Sequence, residues 1–261
     1  MSPRYVSIFL LILFTSNTML ATNCAEILVH LQPIPAHAII FVDIDDTMIT
    51  PVSKTFRSPP YNQLIDEIKK NKERYTNYEA ILSQWRLQRK VMLIDEDWPA
   101  TLEKLKKQYR VYGLTKMDTG ALGAIESIEH WRYAELKSLG IEFSDQGTIP
   151  PISIHNASFY KGLFFTGPNS KSQTLLYFLE YLKGCTFVMI DDRQEHIEDI
   201  RQLCQEHSIP FIGIHFKGLE QFKDKPDPAI AALQKQYLIE SLLWLEDEDA
   251  EKLLQHSPLA P

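Results

Sequence analysis

Three acidic side chains, Asp43, Asp45 and Asp46, follow an apolar run at residues 38–42 (AIIFV), and two more, Asp191 and Asp192, follow a second run at residues 186–190 (TFVMI). Asp43 and Asp45 alternate, so in extended backbone they share a face. Carboxylates held this close do not all ionise unless a cation neutralises them. Every candidate ligand is an oxygen atom and no Cys/His cluster lies near in sequence, which suits magnesium (Mg2+) rather than zinc. A magnesium ion on carboxylates keeps places for water and for substrate phosphate. One carboxylate can attack phosphorus and form an aspartyl-phosphate. A second, two residues on, can protonate the leaving oxygen and then activate water. The hydroxyl of Thr115, at the end of another apolar run, and a lysine ammonium can hold the phosphoryl oxygens.

Each of these residues also has a structural reading. Asp46 and Thr47 suit the cap of a turn or helix. Asp191 and Asp192 suit a helix N-terminus, where the dipole favours negative charge. Thr115 taken alone is an ordinary strand-end residue. His196 stands about one turn into a helix after Asp192, where it can orient the acidic loop or simply pack. His155 and His215 read as structural or solvated, and Trp85, Trp98, Trp131 and Trp244 as core or interface.

The elements that must position these groups alternate. Continuous branched runs at 38–42, 110–114 (RVYGL), 186–190 and 210–215 read as buried parallel strands, and 159–166 as a strand or hairpin arm. Amphipathic helices are expected as one or two within 61–91, then near 98–109, 125–139, 171–182, 195–207 and 229–245. The stretch 141–158 reads as irregular, and the acidic tail 246–251 as solvated surface. Strand–helix alternation predicts an α/β protein with a parallel sheet sandwiched by helices. In such sheets the ligand crevice lies beyond the carboxyl ends of the strands, where the acidic residues and Thr115 stand.

The residues also carry a resemblance. FVDIDDT (residues 41–47) resembles the first motif of the haloacid dehalogenase-like (HAD) superfamily, an apolar strand followed by DxDxT. Thr115, closing VYGLT, resembles the second motif; Lys171, opening KSQTLLYFL, the third; and VMIDD (188–192) the acidic fourth. The resemblance covers about residues 38–215 and extends to exported HAD-like proteins of Gram-negative bacteria. It implies a Rossmann-like core with a small helical cap. Asp43 would be nucleophile and metal ligand, and Asp45 the general acid/base, with its backbone carbonyl also touching the metal. Thr115 and Lys171 would bind the phosphoryl group. Asp192 would be a direct metal ligand, with Asp191 helping directly or through water. Lys161, in FYKGLF, competes with Lys171; a helix start that can place its side chain at an anion favours Lys171. The second Asp of the first motif belongs to the phosphatases of the superfamily rather than its dehalogenases. The insert at 51–91 would be the cap, which excludes water and selects substrate, with Lys54, Arg57 and Tyr61 as lid residues. Lys116 either binds substrate or points to solvent.

Composition bounds the rest. The 261 residues are 44% hydrophobic and 23% charged, enough for a sizeable core, and the net charge of -7 argues against a nucleic-acid or polybasic membrane binder. Three cysteines make no disulfide framework. Residues 1–25 have the order of a secretory leader: Arg4, an apolar run at 6–14, then small and polar residues. The expectation is therefore an exported protein, periplasmic or secreted, with no stable membrane span after leader removal. Its core would comprise 26–50 and 92–261. Its expected activity is magnesium-dependent hydrolysis of a phosphate monoester, either a small phosphorylated substrate or a phosphoprotein. The alternatives are phosphoryl transfer to an alcohol and an exported effector or binding protein with little turnover.

Overall fold

The computed structural model describes residues 18–57, 64–145, 149–222 and 224–256. In chain order the elements are β1 (Met19–Ala21), α1 (Cys24–Leu31), β2 (Ile39–Val42), β3 (Ile49–Pro51), α2 (Leu64–Lys70), α3 (Tyr78–Gln88), β4 (Val91–Leu93), α4 (Trp98–Lys106), β5 (Arg110–Thr115), α5 (Ile128–Ser138), β6 (Ile152–Ile154), β7 (Ala157–Tyr160), β8 (Leu163–Phe165), α6 (Lys171–Phe178), β9 (Phe187–Asp191), α7 (Gln194–Glu206), β10 (Phe211–Phe216), α8 (Pro228–Ser241) and α9 (Asp247–His256).

Eight strands form one sheet in the order β1-β10-β9-β2-β5-β8-β7-β6. The strands from β1 to β8 in that order run parallel, and β7 pairs antiparallel with both of its neighbours, β8 and β6. β2 lies at the centre, between β9 and β5, and all four of its residues are buried. Its alternate residues feed two cores: Ile40 and Val42 enter one, Ile39 and Phe41 the other. A strand covered on both faces needs apolar residues at every position, which is why this run is continuous rather than alternating. The chain is thus α/β with a mostly parallel central sheet flanked by helices.

Three boundaries differ from the sequence expectation. The first is the leader. Residues 1–17 lie outside the described residues, but β1 pairs with β10 and Ala21, Cys24 and Ile27 are buried. The Thr18 hydroxyl accepts hydrogen bonds from Arg201 and Gln194. The folded sheet therefore begins inside the stretch assigned to the leader, and the core does not start at residue 26. A three-residue edge strand followed by a helix capped by Asn23 carries the same short apolar signal as the end of a leader. The second is residues 141–158, where β6 adds an antiparallel strand to β7.

The third concerns the insert. It is closed by a two-stranded antiparallel ribbon, β3 with β4, and holds α2 and α3. The C-terminal helices, assigned to the core by sequence, are fastened to the insert. The expected helix at 229–245 stops when Leu242 turns left-handed (φ 56°), and α9 follows. Gln234 of α8 accepts from the Thr55 hydroxyl at 2.5 Å, and Asp247 accepts from Ser53 Oγ at 2.6 Å and from the Lys54 amide at 3.0 Å. Glu246 accepts from the Lys90 amide at 2.8 Å. The start of the acidic tail is thus a structural clasp, because carboxylates can saturate backbone and hydroxyl donors that would otherwise be buried unpaired. Trp85, Trp98 and Trp244 are buried, and all three cysteines are free thiols. Among the described residues no helix is long and apolar enough to cross a membrane.

Candidate active site

The parallel ladder brings the carboxyl ends of β2 and β9 side by side, with Val42 opposite Ile190. The next residues are Asp43 and the pair Asp191 and Asp192. One oxygen from each of these three carboxylates lies within 4.8 Å of the others. Asp43 and Asp191 are buried and Asp192 is half-buried. The all-oxygen donor set suits a hard divalent cation.

Lys171 is the first residue of α6, held there by a capping box between Ser170 and Gln173. A cation at a helix N-terminus opposes the dipole. Here the carboxylates compensate: Nζ lies 2.5 Å from Asp43 Oδ1 and 2.6 Å from Asp191 Oδ2, fully buried. Lys161 lies elsewhere, in the β7–β8 turn, with its ammonium over the Tyr133 and Tyr160 rings. Lys171 is therefore the lysine that reaches the acidic cluster.

Thr47 is a site residue that the sequence reading left to capping. It is fully buried, and its hydroxyl lies 3.2 Å from Asp43 Oδ2 and 3.3 Å from Asp192 Oδ1 while accepting from the Asp192 amide at 3.0 Å. It links the two acidic loops. Asp46 does take the turn role: its φ is 65°, its amide donates to the Ile49 carbonyl, and its carboxylate accepts from Thr50. Two histidines hold the acidic loop. His196 Nδ1 lies 3.2 Å from both Asp191 oxygens, and His215 Nε2 lies 2.8 Å from the Asp192 carbonyl oxygen. His215 is thus tied to the site loop rather than free in solvent.

Thr115 ends β5 next to β2, buried, with Gly113 opposite Val42. Among the described residues the side chains bonded to the cluster's carboxylates are Thr47, Lys171 and His196 rather than Thr115. Asp45 also stands apart from the three-carboxylate group. Arg132 Nη2 lies 2.9 Å from each of its oxygens, and Arg89 Nη2 lies 3.8 Å away.

The electrostatics follow from this geometry. Burial, then the neighbouring Asp43 and Asp191, push the Asp192 carboxyl up to about 9. Burial also raises Asp43, against the pull of Lys171. Burial works on Asp191 in the same sense, but Lys171 and His196 outweigh it and hold the group low. Burial acts on Asp45 too, and Arg132 and Arg89 overcome it, so Asp45 sits below the usual carboxylate range. The three carboxylates carry more formal negative charge than the single lysine beside them balances, so a further cation could be accommodated there.

A cavity of 470 Å³ opens beside this edge, between the sheet and the insert. Phe56, Lys69, Arg86 and Arg89 of the insert line it. Two of the lid residues expected from sequence do not: Arg57 stacks on Phe222 and the Lys54 amide is tied to Asp247, while Tyr61 lies outside the described residues. Lys116 does line the cavity and is exposed.

Fold and site together define an α/β protein with an acidic crevice at the carboxyl edge of a parallel sheet. The chain belongs to the family described as "Protein of unknown function (DUF2608)", whose profile matches residues 21–251. It is 29% identical over 228 residues to "Uncharacterized protein RP296" of Rickettsia prowazekii (strain Madrid E), covering 83% of this chain and 82% of that one. It is 30% identical over 128 residues to a "Putative outer membrane protein" of Chlamydia pneumoniae, covering 47% of each. No solved structure matches the chain.

Proposed function

We propose that this protein is a HAD-like, magnesium-dependent phosphate monoester hydrolase acting through an aspartyl-phosphate on Asp43. One observation carries the reading: one oxygen from each of Asp43, Asp191 and Asp192 lies within 4.8 Å of the others, with the Lys171 ammonium paired to Asp43 and Asp191. Asp43 and Asp192, with the backbone carbonyl of Asp45, would hold the magnesium ion. Asp191, already bonded to Lys171, the Arg193 amide and His196, would hold the loop and assist through water. When bound, magnesium neutralises the carboxylates and the phosphoryl oxygens, so that an anionic nucleophile can approach an anionic ester.

The chain's own groups then account for each bond. An Asp43 carboxylate oxygen forms a bond to phosphorus while the bond from phosphorus to the ester oxygen breaks. The leaving oxygen takes a proton from Asp45. Water then attacks the same phosphorus, gives its proton to Asp45, and returns Asp43 as a carboxylate. Lys171 offers positive charge to the transferring oxygens, and Thr115 supplies a hydroxyl at the neighbouring strand end. Asp45, held ionised by Arg132 and Arg89, is set for the second half; to act as the acid of the first half it must be loosened from Arg132.

Export to the periplasm or beyond remains part of this reading. A likeness to a protein named for the outer membrane is compatible with it. So is the leader-like order of the first residues.

The test is phosphate release from a panel of phosphomonoesters by the protein with magnesium. Hydrolysis that disappears on exhaustive chelation and falls by at least 10³-fold in Asp43→Asn, the order seen when a residue of a covalent-catalysis unit is removed, is the expected result. Full activity in Asp43→Asn removes the nucleophile assignment.

A further inference from the structure

The cavity beside the acidic cluster has a basic wall, of which the hydrolysis of a simple ester uses only the arginines that hold Asp45. Six basic side chains line it against four acidic ones, and they come from the insert, from α5, and from the loops after β5 and β9. Three of the cations are arginines with almost no solvent contact: the side chains of Arg86 and Arg89 are 4% exposed and that of Arg132 is 0%.

Burying a guanidinium is unfavourable unless its donors and its charge are matched. Arg132 is matched by Asp45 and by Glu135 at 2.6 Å. The other two have carboxylates nearby, and Arg89 stacks on Trp85 at 4.4 Å, but each keeps a buried donor without an acceptor among the described residues. Arg86 spends Nη2 on Asp118 at 2.8 Å, and its Nη1 has no acceptor among the described residues. Arg89 reaches Glu135 only at 3.4 Å, and its Nε has no acceptor among them. Trp85, between the two arginines in sequence, likewise leaves its indole Nε1 buried without an acceptor. All three residues line the one cavity, with Lys116 exposed at its rim. Buried donors left over in this way call for a missing partner. The partner that answers both the donors and the charge is an oxyanion, which guanidinium groups bind with directed hydrogen bonds.

We propose that this cavity is a second anion subsite, and that the substrate is a small phosphate monoester whose leaving group carries its own carboxylate or phosphate. The proposal rests on the hydrolase reading above, because Asp45 and Asp192 form part of the same wall and so place the subsite next to the phosphoryl group. It assigns Arg86, Arg89 and Lys116 to substrate selection.

The test compares kcat/KM of the full chain with magnesium for ethyl phosphate, 2-phosphoglycolate and propane-1,3-diol bisphosphate. The expected result is a preference of at least about tenfold for one of the two substrates with an anionic handle over ethyl phosphate, the scale of one charge-assisted contact. The favoured arm identifies carboxylate or phosphate as the handle. That ratio falls about tenfold or more in Arg86→Met and in Lys116→Met; the second variant changes an exposed side chain and spares the buried network. A wild-type ratio near one, or a ratio that neither variant moves, overturns the subsite while leaving the hydrolase reading intact. If no ester is hydrolysed the hydrolase reading fails, and the subsite is then judged by calorimetric titration of the metal-free protein with succinate and with sulfate. Binding weakened about tenfold by Lys116→Met supports an anion site there. Absence of binding, or binding that the substitution leaves alone, overturns it.

Discussion

Arg132 reaches from α5 to Asp45 with a single nitrogen, Nη2, lying 2.9 Å from each carboxylate oxygen. The guanidinium is fully buried, while 39% of the Asp45 side chain is exposed. The pair therefore fixes the charge state of the proposed acid/base residue from behind and leaves its front open to the crevice. Arg132 is the counterpart that a motif-based reading of Asp45 does not supply.

Replacing Arg132 with Met is expected to let the Asp45 carboxyl rise toward its ordinary value. For the dephosphorylation half, in which Asp45 must be ionised to accept the proton from water, the acid limb of the pH–rate profile then moves to higher pH. The same change leaves Glu135 without its closest partner and is expected to destabilise the fold by about 3 kcal/mol, as for other broken buried pairs. A pH–rate profile and a urea melt measure the two effects. An acid limb that stays in place would show that Arg132 does not set the charge on Asp45.

Asp192 makes the metal-free protein sensitive to pH. Its carboxyl is raised to about 9 by burial and by Asp43 and Asp191. The folded protein therefore keeps a proton that the unfolded chain releases, and stability falls as pH rises from the ordinary carboxylate range toward 9. In the presence of chelator, Asp192→Asn is expected to melt higher than the parent at pH 8, by roughly 2–4 °C for each kcal/mol relieved. The two proteins converge near pH 4. Magnesium is expected to stabilise the parent far more than the variant. Parallel melting curves from pH 4 to 8 would contradict the charge excess at the cluster.

The insert depends on the C-terminal segment for its anchorage. Asp247 accepts from Ser53 Oγ, the Lys54 amide and Gln234 Nε2, the last at 2.8 Å. Asp247→Ala strands these donors, one of them the buried Ser53 hydroxyl, and is expected to destabilise by about 2 kcal/mol. Hydrogen exchange at Lys54 and Thr55 should accelerate ahead of exchange in β2. If all amides accelerate alike, the clasp serves the whole fold rather than the insert.

How much of this was legible in the sequence depends on the range of each signal. The strand at 38–42 was readable because burial on both faces demands a continuous apolar run, and the acidic residues after it stand out against that run. Lys171 was readable because KSQTLLYFL marks its own helix start. Thr47 was not, since a threonine after an acidic turn looks like a cap; its role appears only when β9 brings Asp192 alongside. Arg86 and Arg89 in WRLQRK look like solvated cations at one helix end. Only the packing of α3 over the crevice, with Asp118 and Glu135 supplied from distant positions, shows them buried. β1 was hidden because three residues pair with a strand nearly two hundred positions away. The clasp at Asp247 was hidden because an acidic run carries no local sign of the donors it meets.

The measurement that bears most directly on the central claim is a rapid acid quench of the magnesium-loaded protein during turnover of a phosphomonoester, followed by peptide mapping. The account predicts one acid-stable, hydroxylamine-labile phosphoryl group on the peptide containing Asp43, absent from Asp43→Asn. Steady turnover with the phosphoryl group on another residue, or with Asp43→Asn as active as the parent, would contradict it.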